Sequence, residues 1–173
     1  MLAVQPGDVL VTRHEHNNAA RLIRLGAALE DKPDSWNHVI IAHHVDKAGT
    51  FWGVEGRAGG VGWVDMAGPL ADRWTIANYL QPKDGKQRGD VCAAASAMLG
   101  VKYDWVAIAV DAQQAIAPLW HQRDEWGPGV PGHVVCSSLA DWCYEHVGLP
   151  SPKADRYCTP ADWAAWIQTE SWH

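Results

Sequence analysis

Apolar and polar positions follow two different rhythms along this chain. In the first half the apolar runs are short, rich in Val and Ile, and bounded by turn residues, which is how strands read. Gly7 to Arg13 predicts a strand that opens after the Pro6-Gly7 turn, and Trp36 to Val45 predicts a longer one. Asp46-Lys47-Ala48-Gly49 reads as a turn, and Thr50 to Gly56 as the returning strand of a hairpin. Gly59 to Met66 and Arg73 to Leu80 add two further strands. One helix interrupts them: Leu22, Ile23, Leu25 and Leu29 lie at helical spacing within Ala19 to Leu29, and Asp31-Lys32-Pro33-Asp34-Ser35 ends it.

The second half is helical. Lys86 to Leu99 is Ala-rich and stops at Gly100, and Trp105 to Ala117 stops at Pro118. His121 to Gly132 holds two Pro and three Gly, so it reads as a loop. Val134 to Val147 is a helix stopped by Gly148 and Pro150. Thr159-Pro160-Ala161-Asp162 begins a last helix, with Thr159 as its cap and Pro160 at its first position. Strands first and helices later predict an α+β domain, an antiparallel sheet packed against helices. With 173 residues and no repeat, low-complexity tract or linker, a single domain over residues 1–173 is expected.

Composition narrows the function classes. Apolar residues make up 47% and charged residues 20%, an ordinary globular balance. A net charge of -6 argues against a nucleic-acid partner. The N-terminus lacks the basic start and apolar run of a secretory signal, and no segment approaches the ~18 apolar residues of a membrane span. The expected location is the cytoplasm, or outside the cell or on a phage particle by another route. The four cysteines, Cys92, Cys136, Cys143 and Cys158, form no Cys-x-x-Cys pair, which argues against a zinc ribbon or redox motif. Eleven tryptophans against one phenylalanine suit either a core or the walls of a cleft.

One cysteine stands apart. Cys136 lies at or near a helix start, and Leu139, Ala140, Cys143 and Val147 follow it on one face. A thiolate there is stabilised by the helix dipole and by free backbone N–H groups, which are also able to hold an oxyanion. A nucleophilic cysteine needs a base, and among nine histidines His38 is the one held early on a predicted strand. The base needs a polar partner to orient it. A hairpin turn centred between Asp46 and Lys47, or between Lys47 and Ala48, places Glu55 on the same sheet face as His38; a turn centred on one residue breaks that parity. The competing reading is a core cysteine, a structural histidine and a solvated glutamate. His14 with His16, and His43-His44 with Asp46, hint at a metal site, and His133 lies three residues before Cys136 but across a loop-to-helix junction with no further ligands nearby; no His-Glu-x-x-His pattern supports a metal site. No metal or other cofactor is expected.

Five segments, in order, resemble a known family. They are Pro6-Gly7-Asp8-Val9-Leu10, Asn37-His38-Val39-Ile40-Ile41 with Val54-Glu55-Gly56 after it, Gly100-Val101-Lys102-Tyr103-Asp104-Trp105, Val135-Cys136-Ser137-Ser138-Leu139, and Thr159-Pro160-Ala161-Asp162. The chain resembles the circularly permuted NlpC-type papain-like cysteine hydrolases, in particular the YiiX-like branch, from residue 6 to about residue 167. Each motif is short; their order, with the histidine before the cysteine, carries the resemblance. The resemblance implies a papain-like fold with Cys136 as nucleophile, His38 as base and Glu55 as third member. Tyr103 and Ser137 are its candidates for lining the site or holding the oxyanion. It implies cleavage of an amide or ester in a peptide, a cell-wall fragment or an acyl-bearing small molecule. The segment from Trp120 through Trp126 to Gly132 departs from the family pattern and reads as an insertion. Two other readings are carried alongside: acyl transfer between lipids, as in the lecithin:retinol acyltransferase-like relatives, and a non-catalytic binding or structural module.

Overall fold

A computed structural model describes residues 4–13, 36–71, 75–78, 82–103, 133–152 and 158–170. Five strands form one antiparallel sheet: β1 (Val9–Thr12), β2 (His38–Val45), β3 (Phe51–Arg57), β4 (Gly60–Asp65) and β5 (Ile76–Ala77). Their spatial order is β4-β3-β2-β1-β5. The described helices are α1 (Ala67–Ala71), α2 (Gly85–Ala97), α3 (Cys136–His146) and α4 (Pro160–Glu170). Two short strands, β6 (Lys102–Tyr103) and β7 (His133–Val134), pair in parallel. The architecture is α+β, with the antiparallel sheet packed against helices.

The apolar runs of β1 and β2 are nearly continuous because both faces of these strands are buried. Val9, Val11, Val39, Ile41 and Val54 face a core shared with Val91 of α2, with Leu139, Ala140 and Cys143 of α3, and with Trp163 and Ile167 of α4. Leu10, Ile40, Ala42 and Ala77 pack with Met66 in a second core. Helix α3 is the central element, packed on β2, β3, α2 and α4. Its predicted apolar face holds, since Cys136, Leu139, Ala140 and Cys143 are all buried. Helix α4 starts as its sequence predicts. Asp162 N–H donates to Thr159 Oγ1 at 3.2 Å, and Thr159 N–H donates back to Asp162 Oδ2 at 2.9 Å, a reciprocal cap.

The β2–β3 hairpin reaches its register by an unexpected route. Val45 pairs with Phe51 and His44 with Trp52, so the turn centres on the single residue Ala48. That centre alone would put His38 and Glu55 on opposite faces. A bulge between Ala42 and His44 absorbs one residue, and from there Ala42 pairs with Gly53 and Ile40 with Glu55. Extended two residues, this register sets His38 opposite Arg57 and diagonal to Glu55, on one face. The bulged residue His43 turns to α2, where Nε2 lies 2.7 Å from Ser96 Oγ and 3.0 Å from the Cys92 carbonyl.

Several boundaries differ from expectation. The cysteine helix begins at Cys136 rather than at Val134, because His133 and Val134 are drawn into the parallel pair with Lys102 and Tyr103. Of the strand expected over Arg73 to Leu80, Ile76–Ala77 pairs with β1, and residues 72–74 and 79–81 lie outside the described residues. The five-residue α1 carries no buried side chain and left no apolar pattern to read. The expected helices Ala19 to Leu29 and Trp105 to Ala117, and the loop His121 to Gly132, also lie outside the described residues. Among the described residues no helix is long and apolar enough to cross a membrane.

Candidate active site

Cys136 owes its place to the joint between β7 and α3. Val135 is the N-cap, in extended conformation, and Cys136 is the first helical residue. The Ser138 hydroxyl accepts from the Val135 N–H at 3.0 Å, which fixes the turn into the helix. The first-turn N–H groups have no intrahelical partner. Two backbone N–H groups, those of Ser137 and of Val39 in β2, donate to the Cys136 sulfur. The helix start sits directly on β3. A Cβ built on Gly56 would lie 3.2 Å from Cys136 N and 3.3 Å from its Cα, so only glycine admits this approach without displacing α3.

His38 reaches the sulfur from the first position of β2. Its Nε2 lies 2.6 Å from Glu55 Oε2, and the ring also hydrogen-bonds the Cys136 thiol, for which Nδ1 is the nitrogen left. The His38 and Glu55 side chains are 12% and 9% exposed, so both charges are largely out of water. The strand pairing makes this geometry rigid, with Thr12 in register with His38 on one side and Ile40 in register with Glu55 on the other.

The electrostatics set Cys136 apart from Cys92 and Cys143. All four cysteines are buried and free. Burial pushes the Cys92 thiol up to about 11 and the Cys143 thiol up to about 12. Burial acts on Cys136 in the same direction, but the adjacent His38 cation and the N–H groups of Val39 and Ser137 outweigh it and lower its pKa. For His38 burial works downward, and the Cys136 and Glu55 anions overcome it, raising the ring to about 10. The surroundings thus favour the thiolate–imidazolium form of the pair, with Glu55 behind the ring.

Tyr103 completes the site. Burial raises its hydroxyl pKa, and so do the negative charge of Cys136 and a hydrogen bond to it, so the neutral phenol donates toward the sulfur. The segment that carries it is anchored to β4: Val61 N–H donates to the Val101 carbonyl at 2.8 Å, and Gly100 N–H to the Val61 carbonyl at 2.9 Å. Gly60 has φ +106°, and a Cβ there would come within 2.7 Å of the Val101 oxygen. The pairing of Tyr103 with Val134 then sets the phenol beside the start of α3. A hydrogen bond to a charged group contributes about 1.5–3 kcal/mol. Tyr103→Phe should therefore raise the pH midpoint of the Cys136 thiolate by about one unit or more, read from the ultraviolet absorbance of the thiolate; an unmoved midpoint would mean that the phenol does not support the sulfur.

The chain matches no protein-family model, and no curated protein matches it. The site's description thus rests on its own geometry. That geometry brings together Cys136, His38, Glu55 and Tyr103, and it turns the Ser137 N–H to the sulfur while burying the Ser137 side chain. Two residues beside the site were not singled out from the sequence: Gly56, under the start of α3, and Arg57, with Nη1 3.5 Å from Glu55 Oε1. Gly56 could have been suspected from its place after Glu55, and Arg57 from its same-face spacing to Glu55. Of the candidate metal groups, His43-His44 with Asp46 lies among the described residues, and there the Asp46 carboxylate accepts from Ala48 N–H, Thr50 N–H and Trp52 Nε1. Among the described residues no group of three or more His, Cys, Asp or Glu is placed to hold a metal ion. His14 and His16, and the side chain of His133, lie outside the described residues.

Proposed function

We propose that this chain is a cysteine hydrolase of the circularly permuted NlpC-type, papain-like kind, acting on an amide bond in a cell-wall peptide. The observation that carries the reading is the buried Cys136–His38 pair, lowered at the thiol and raised at the imidazole, with Glu55 at 2.6 Å behind the ring. The order of the segments, the helix start at the cysteine and the α+β sheet support the same kinship.

The thiolate of Cys136 attacks the carbonyl carbon, and the C–O π electrons move onto oxygen. The Ser137 N–H at the start of α3 and the Tyr103 hydroxyl, which both donate toward the sulfur, stabilise the developing oxyanion. The C–N bond breaks as the His38 imidazolium gives its proton to the leaving amine, leaving a thioester on Cys136. His38, now neutral, takes a proton from water as the water attacks the thioester. The thiolate leaves, the acid is released, and the imidazolium is restored. Glu55 keeps the ring oriented and stabilises its charged form, the part an Asp plays in serine triads. A thiolate already formed in the free protein removes the need for deprotonation before attack.

Solubilised cell-wall peptides incubated with the protein test this reading. Mass spectrometry should show a newly freed amine and carboxylate, and a transient acyl adduct on Cys136. Neither should form with Cys136→Ala; cleavage that survives that substitution would overturn the proposal.

A further inference from the structure

Arg57 has no task in the chemistry just described, yet its placement is specific. It follows Glu55 by two residues on the same strand face, and the hairpin register sets it opposite His38. Gly62, the partner of Glu55 on β4, makes room for it: a Cβ there would lie 3.3 Å from Arg57 Nη2 and 3.8 Å from Cζ. From this position Nη1 is 3.5 Å from Glu55 Oε1. That is longer than the roughly 2.7–2.9 Å of a charge-assisted hydrogen bond. Glu55 has its closer partner in His38, at 2.6 Å. The Arg57 side chain is 56% exposed, against 9% for Glu55. A cation needed only to stabilise Glu55 would be closer and drier. Instead a planar fork with five N–H donors opens to water at the rim of a buried reactive pair, on a chain whose net charge is -6.

We propose that Arg57 is an anion receptor, and that the site takes acyl donors carrying a carboxylate close to the scissile carbonyl. This rests on the cysteine-hydrolase reading and names its substrate class. The guanidinium fork matches a carboxylate through two parallel hydrogen bonds. Glu55 has its shorter contact with the His38 ring, and the 3.5 Å pair with Glu55 engages one nitrogen of the Arg57 fork, whose other N–H groups are able to meet a ligand. The half-exposed position keeps the cost of desolvating the ligand low.

Two reagents of similar size separate the possibilities: iodoacetate, which carries a carboxylate, and iodoacetamide, which does not. Both alkylate Cys136, so their rate ratio cancels access and thiolate content. Arg57→Gln should lower the iodoacetate-to-iodoacetamide ratio by about three- to tenfold, the scale of one partly exposed charge pair. Arg57→Lys, which keeps the charge but not the fork, should fall between. A ratio unchanged by Arg57→Gln, including one in which both rates drop together, would overturn the proposal and leave Arg57 as a positioning residue for Glu55. If neither reagent modifies Cys136 in the unaltered protein although its thiolate absorbs, the site does not admit small carboxylates and the proposal fails. If no thiolate absorbs, the hydrolase reading fails and takes this one with it.

Discussion

Replacing His38 with alanine should cut the alkylation of Cys136 at pH 6 by at least about a hundredfold. The thiolate is the reactive form, and each unit of pKa changes its population tenfold below the midpoint. Without the imidazolium, Cys136 keeps the burial that opposes ionisation and loses the largest influence that offsets it. It should then behave like its neighbours, Cys92 at about 11 and Cys143 at about 12, moderated only by the N–H groups of Val39 and Ser137 and the phenol of Tyr103. A shift of two or more units follows, which is the hundredfold. Glu55→Gln should do less, because the amide oxygen still accepts from Nε2 and only the charge is lost. An alkylation rate for His38→Ala within a few fold of the unaltered protein would show that the imidazole does not sustain the thiolate.

The second large effect is on stability and lies away from the site. Arg88→Ala should destabilise the fold by about 3–5 kcal/mol, the scale for stranding one member of a buried ion pair. Asp8 is 1% exposed; its Oδ1 accepts from Arg88 Nη1 at 2.6 Å and its Oδ2 from Gln5 N–H at 2.7 Å. Arg88 also donates to the Pro6 carbonyl at 2.9 Å, so α2 is tied to the approach of β1. The Asp8 pKa is raised by burial despite that partner, and removing the partner raises it further. A carboxyl whose folded pKa lies above its unfolded value of 3.8 holds its proton more tightly when folded. The deficit should therefore shrink as pH falls from neutral toward about 4. Urea denaturation at pH 7 and pH 4.5 measures both; a loss below about 1 kcal/mol at pH 7 would mean that the Asp8–Arg88 pair contributes little.

What could be read from the chain depended on how local its cause was. The start of α4 was legible because Thr159, Pro160 and Asp162 carry the cap within four residues. The α3 face was legible because its spacing is helical. The His38–Glu55 pairing was reached for an incomplete reason: both residues do share a face, but a bulge at the end of β2 restores a parity that the turn alone would break. A bulge leaves no mark in an apolar pattern. Tyr103 was quoted within a motif, yet its contact with the sulfur depends on a two-residue parallel pairing between segments 31 positions apart. Arg57 escaped notice because an exposed arginine at a strand end is ordinary until its neighbours in the fold are known.

The most direct measurement is a pH titration of the Cys136 thiolate by its ultraviolet absorbance, taken as the difference between the unaltered protein and Cys136→Ala. The thiolate signal should already be present at pH 6–7 and change little from there upward, because the proton lost near pH 10 leaves the His38 ring and not the sulfur. A signal absent at neutral pH that rises through about 8.5 or above, as for an ordinary thiol, would contradict an activated Cys136–His38 pair.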